Sequence, residues 1–182
     1  MSATPSAATY ARSNVGELEA VVSAVSAEEL DRLVSAILAA ERVYFTGLGR
    51  SGLMAKAIAM RLMHIGLASF AVGEIATPGV AEGDLLVAFT ARGGQAVIAQ
   101  ARKAHSVGAS VAVVTVDPDP ELAQLATAVV TLPIRTEIPT QQHAGSLFEQ
   151  SCLVICDAVC RTVQETLGVP TSELNRRHAS LP

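Results

Sequence analysis

The apolar residues change their spacing near residue 42, and that change limits the fold more than any other feature. Before it, the spacing is helical. Two amphipathic helices are predicted near 14–25 and 27–41, the second carrying Leu30, Leu33, Val34, Ile37 and Leu38 at helical intervals. Ser26-Ala-Glu-Glu29 has the form of a capping box at its start. After residue 42, short apolar runs alternate with helical stretches. The runs are Val43–Thr46, Ser69–Val72, Leu85–Thr90, Ser110–Val116 and Ala128–Leu132; the helical stretches lie near 51–65, 94–107 and 119–126. A helix near 146–167 and a short one near 171–178 close the chain. Strands alternating with helices are βαβ units, so the expectation is an α/β fold: a five-stranded parallel sheet between two helical layers. Residues 1–12 are small and polar and are expected to be frayed, leaving one domain over 13–182.

Composition agrees with a buried parallel sheet. Half of the 182 residues are apolar, yet only six are aromatic, so Ala, Val, Leu and Ile must fill the core. The net charge of −4 argues against a nucleic-acid surface. No apolar run reaches the roughly 20 residues of a membrane helix. The N-terminus lacks the basic start and apolar stretch of a signal peptide, so a cytoplasmic chain is expected. Cys152, Cys156 and Cys160 share one helix face. Their apolar neighbours make them core residues; no His or acid completes a metal-ligand spacing, so no metal is expected.

In parallel sheets, ligands sit beyond the carboxyl ends of the strands, which directs attention to 47–52, 73–79, 90–95, 117–120 and 133–145. Gly47-Leu-Gly49-Arg-Ser-Gly52 follows the first run and opens a helix. It fits G-x-G-x-x-G, and Glu74 follows Gly52 by 22 residues, the spacing of a dinucleotide-binding fingerprint. Against a dinucleotide, Arg50 and Ser51 offer a charge and a hydroxyl suited to a terminal phosphate or sugar hydroxyl, and no separate substrate domain is expected after the fingerprint. A plain connecting turn is the third reading. Thr90-Ala91-Arg92-Gly93-Gly94-Gln95 forms a second strand–turn–helix and a second anion cradle.

Several longer segments carry a resemblance. Gly49-Arg-Ser-Gly52, Ala59-Met-Arg-Leu-Met-His-Ile-Gly66, Thr77-Pro78, Gly83-Asp-Leu-Leu86, Ala144-Gly-Ser-Leu-Phe-Glu-Gln150 and Arg177-His-Ala179 resemble the 6-phospho-3-hexuloisomerase family, within the sugar isomerase domain group. The resemblance runs from about residue 27 to the C-terminus. It implies a five-stranded parallel sheet flanked by helices and a homotetramer. It also implies interconversion of 3-hexulose 6-phosphate and fructose 6-phosphate in the ribulose monophosphate route of formaldehyde fixation, with no cofactor. By the same resemblance, Gly49, Arg50, Ser51 and the 90–95 turn bind substrate and Glu149 accepts the proton.

The second turn departs from the family's usual Ser-Gly-Ser-Gly-x-Thr: Arg92 and Gln95 stand where hydroxyl residues are expected. Arg92 either grips phosphate as a planar fork or obstructs the pocket, and the departure leans toward obstruction or altered specificity. A non-catalytic sugar-phosphate binder, or an isomerase of another sugar phosphate, is the alternative function. For Glu149 alone, a helix-capping role is the competing reading. His64 and His178 are the candidate acids, His178 within reach of a neighbouring subunit's site. Glu74 is a candidate contact for substrate hydroxyls. His105 looks solvated, and His143 lies in a loop.

Overall fold

The computed structural model describes residues 4–178. Helix α1 spans Ala7–Ala24, seven residues earlier than the apolar spacing predicts, because Ser6 caps it: its hydroxyl accepts the Thr9 N–H at 3.2 Å. Such a cap contributes about 1 kcal/mol, and the alanine-rich start then costs little to hold helical. The expectation of fraying through residue 12 therefore does not hold for 7–12; residues 1–3 lie outside the described residues.

Helix α2 spans Ala27–Ala39. Ser26 caps it as predicted, accepting from Glu29 N at 3.3 Å. The reciprocal half of the capping box is not made. The Glu29 carboxylate instead accepts the Thr131 N–H at 2.8 Å, tying α2 to the end of a strand.

The strands are β1 (Val43–Gly47), β2 (Ser69–Ala71), β3 (Leu85–Phe89), β4 (Ser110–Thr115) and β5 (Ala128–Thr131), all parallel, in the order β2-β1-β3-β4-β5. Between them run α3 (Arg50–Ile65), α4 (Gln95–Ser106) and α5 (Pro120–Leu125); α6 (Ser146–Thr166) and α7 (Thr171–Arg177) follow. The α/β expectation of five parallel strands holds, and apart from the start of α1 the helices lie within a few residues of their expected positions.

Side-chain alternation along the strands makes two cores. Val43, Phe45, Leu85, Val87, Phe89, Ala112 and Val114 face one layer, which α1, α2, α3 and α6 cover. Tyr44, Leu86, Ala88, Val111 and Val113 face the other, covered by α4 and α5. Cys152, Cys156 and Cys160 belong to the first core, and burial pushes their thiols well above the ordinary range. They pack as small apolar groups.

Asp84 shows that not every recognisable motif is catalytic. Its buried carboxylate accepts from Arg42 Nε at 2.8 Å, Arg42 Nη2 at 2.7 Å and Ala81 N at 2.7 Å. It braces the amino edge of the sheet, opposite the ligand edge.

The strand order reverses at β1: β2 lies on one side and β3 on the other. That switch point opens a crevice at the carboxyl edge, where ligands bind in this class of sheet. The turns after β1 and β3 flank it.

Candidate active site

The first turn is built by close backbone approach. A Cβ at Gly52 would sit 2.6 Å from the Gly47 carbonyl oxygen, and one at Gly47 would sit 2.8 Å from the Ser51 carbonyl carbon. Glycine is needed at both for the strand to enter α3 so tightly. Gly49 is held at φ 57°, also suited to glycine, and caps the helix. Arg50 and Ser51 thus stand at the open N-terminus of α3, where unpaired N–H groups and the helix dipole favour an anion.

The second turn lies beside the first. Leu48 Cδ1 is 3.8 Å from where a Gly94 Cβ would stand, and Gly93, at φ 69°, lies against the Asp119 side chain. The Ala91 carbonyl accepts from Val116 N and Asp117 N, both at 3.1 Å, and from Thr115 Oγ1 at 3.2 Å. These bonds fix the 90–95 backbone to the end of β4. Thr90 is buried; Arg92 and Gln95 are exposed.

Glu149 comes to this edge from the opposite side. It lies in the first turns of α6, its N–H bonded to the Gly145 carbonyl at 3.0 Å. Its side chain is buried and is paired with Arg50 Nε. Its Oε1 lies 3.1 Å from the position of a Gly145 Cβ, so glycine at 145 leaves room for the carboxylate. Arg50 and Glu149 line a cleft of about 230 Å³ with Leu53, Met54, Gln150 and Leu153. Beside it, at the α6 N-terminus, a cavity of about 260 Å³ is bordered by Arg92, Arg135, Thr140, Ala144 and Phe148.

Arg135 is the residue the sequence reading missed. It sits in the irregular loop 133–145 at φ 63°, and Ala144 in the same loop is at φ 48°. The Arg135 guanidinium donates to the Ala144 carbonyl at 3.0 Å. Only its place in a segment at the sheet's ligand edge could have signalled it.

His64 and His178 do not join Glu149 within the chain. Their rings stack at 5.0 Å between centroids. His64 lies in the last turn of the 16-residue α3, whose first turn holds Arg50. At 1.5 Å per residue the two ends are roughly 20 Å apart. His64 is buried, and burial first, then the charges of His178 and Arg61, lower its pKa. Arg177 completes this end by donating to the His64 carbonyl at 3.2 Å and the Ile65 carbonyl at 2.9 Å. Ala179 lies outside the described residues. Glu74 is half-exposed and engaged by Lys56 Nζ at 2.5 Å. His105 and His143 are exposed.

The fold and the two glycine turns define a parallel α/β domain whose carboxyl edge carries two helix starts suited to an anion. Residues 36–156 match the model of the SIS domain, and the chain belongs to that family. Similar curated proteins include the 3-hexulose-6-phosphate isomerase of Bacillus subtilis, 37% identical over 94% of this chain and 97% of that one. The Mycobacterium gastri protein of the same name is 37% identical over 91% and 86%. Among solved structures, a hypothetical protein superposes with a TM-score of 0.85 at 26% identity, covering 95% and 96%. A Methanococcus jannaschii protein, whose crystal structure was taken to infer a 3-hexulose-6-phosphate isomerase function, superposes with a TM-score of 0.78 at 27% identity, covering 94% and 96%. Among the described residues no helix is long and apolar enough to cross a membrane.

Proposed function

We propose that this chain is a 3-hexulose-6-phosphate isomerase that interconverts 3-hexulose 6-phosphate and fructose 6-phosphate through an enediol. The observation that carries the reading is the buried Glu149 carboxylate, paired with Arg50 of the first glycine turn at the sheet's ligand edge. The names of the similar curated proteins support the substrate. The reaction moves a carbonyl from carbon 3 to carbon 2. Glu149 takes the proton from carbon 2 and returns it to carbon 3, which one fixed carboxylate can do without leaving the site. The oxygens of the enediol need a proton donor or a positive group nearby, and Arg50 stands closest to the carboxylate.

The phosphate is held at the helix starts by Gly49, Arg50, Ser51 and the 90–95 turn. Arg92 is exposed at the border of an open cavity, which supports gripping over obstruction. Glu74 remains a contact for substrate hydroxyls. His64 and His178, a helix length away in their own chain, serve as acids only at the site of a second copy. The chain therefore acts as a homo-oligomer, a tetramer. Exposed apolar side chains support assembly: Tyr10, Val15 and Val22 on α1, Leu53, Met60 and Met63 on α3, and Val154 on α6.

The reaction would take place in the cytoplasm, within the ribulose monophosphate route of formaldehyde fixation. An assay that starts from fructose 6-phosphate and traps 3-hexulose 6-phosphate through a coupled aldolase tests the function. Turnover supports it. Binding without turnover would identify a sugar-phosphate sensor, and NAD binding without fructose 6-phosphate binding a dinucleotide module. Light scattering at micromolar concentration tests the assembly; a monomer alone would contradict it.

A further inference from the structure

The loop 133–145 forms one wall of the cavity beside Glu149, and an element outside the matched family segment holds it. Glu17 lies on α1, before residues 36–156. Its carboxylate accepts three hydrogen bonds from consecutive loop residues: Thr140 Oγ1 at 2.6 Å, Gln141 N at 3.1 Å and Gln142 Nε2 at 3.0 Å. Thr140 itself borders the cavity, and its hydroxyl also accepts the Gln142 N–H at 3.0 Å. Three donors on one half-buried carboxylate form a specific clamp, since each bond to a charged acceptor is stronger than a neutral one. Burial pushes the Glu17 carboxyl up, but these bonds outweigh it and hold the group below its ordinary range.

The far end of the loop is held differently. Arg135 clips the Ala144 carbonyl, and both residues stand at positive φ. Non-glycine residues stay in that region only where their surroundings fix them. Immediately after Ala144 come Gly145 and α6, with Glu149 in its first turns.

We propose that Glu17 is a positioning residue for the substrate cavity: through Thr140, Gln141 and Gln142 it latches loop 133–145 in the shape that receives the sugar phosphate. This rests on the isomerase reading for the identity of the ligand, but not for the latch itself. Because Arg50 holds Glu149 from α3, releasing the latch leaves the base in place and loosens only the wall. The latch therefore sets substrate binding rather than the chemical step.

The test uses the full chain with Glu17→Ala, Thr140→Val and Thr140→Ser. Amide hydrogen exchange is followed by mass spectrometry, and kcat and KM are measured from fructose 6-phosphate. Glu17→Ala and Thr140→Val should speed exchange across 140–145 while the β-strands keep the parent's protection. They should raise KM about tenfold with kcat within about twofold, the signature of lost binding. Thr140→Ser, which keeps the hydroxyl, should behave as the parent in both measurements. Unchanged exchange across 140–145 would overturn the latch, as would faster exchange throughout the chain, which marks a role in overall stability alone. A fall in kcat at constant KM would overturn the positioning role. If the parent itself fails to turn over fructose 6-phosphate, the isomerase reading falls, and the exchange pattern still decides the latch.

Discussion

Arg50 and Glu149, distant in sequence, meet side chain to side chain, and the pair joins the start of α3 to the start of α6. The two ends of the pair differ in solvent exposure: the Arg50 side chain is 64% exposed and that of Glu149 only 11%. The buried carboxylate depends on the arginine more than the reverse, because a buried charge without a partner is costly.

Arg50→Gln should therefore misplace the base rather than unfold the chain. A displacement of about 1 Å at a reacting group can cost up to about 10² in rate. We expect kcat to fall about ten- to a hundredfold, with a thermal midpoint lowered by only a few degrees, as suits about 1 kcal/mol lost from a chain that stays folded. Steady-state kinetics and a melting curve check this; an unchanged kcat would separate the ion pair from catalysis.

Arg92→Ser restores the hydroxyl usual in the resembling turn. If Arg92 grips phosphate, the change should weaken fructose 6-phosphate binding about tenfold, the low end of the range for a hydrogen bond to a charged group, as suits an exposed side chain. Titration calorimetry measures it. Tighter binding would instead show that Arg92 obstructs the cavity.

His64 gives a pH prediction. Its folded pKa is lowered by burial, by His178 and by Arg61, so the unfolded chain binds the proton more readily. Stability is then fully present above the ordinary histidine value near 6.5 and declines as pH falls from there toward the lower folded value. The melting midpoint should drop as pH falls below about 6.5, and His64→Gln should flatten that drop. Parallel pH profiles for the two proteins would contradict the assignment.

Much of the fold could be read in the sequence because its signals are local. The apolar runs become β1 to β5, and the glycines at 47 and 52 mark a turn whose closeness only glycine allows. The early start of α1 was hidden because Ser6 caps a segment without apolar spacing. The use of Glu29 on Thr131, and of Glu17 on loop 140–142, depends on tertiary contacts that no local pattern encodes. The separation of His64 from Glu149 is a different case. A helix that starts at the ligand edge must end at the opposite edge, so its length alone already places His64 there.

The most direct test of the account is Glu149→Gln, which keeps the shape and removes the base. With fructose 6-phosphate as substrate, kcat should fall by about 10² to 10⁴, the usual contribution of a general base, while KM and the fold stay near those of the parent. A Gln variant that isomerises at the parent's rate would contradict the proposed mechanism and shift the search for the base to Glu74 or a histidine of a neighbouring copy.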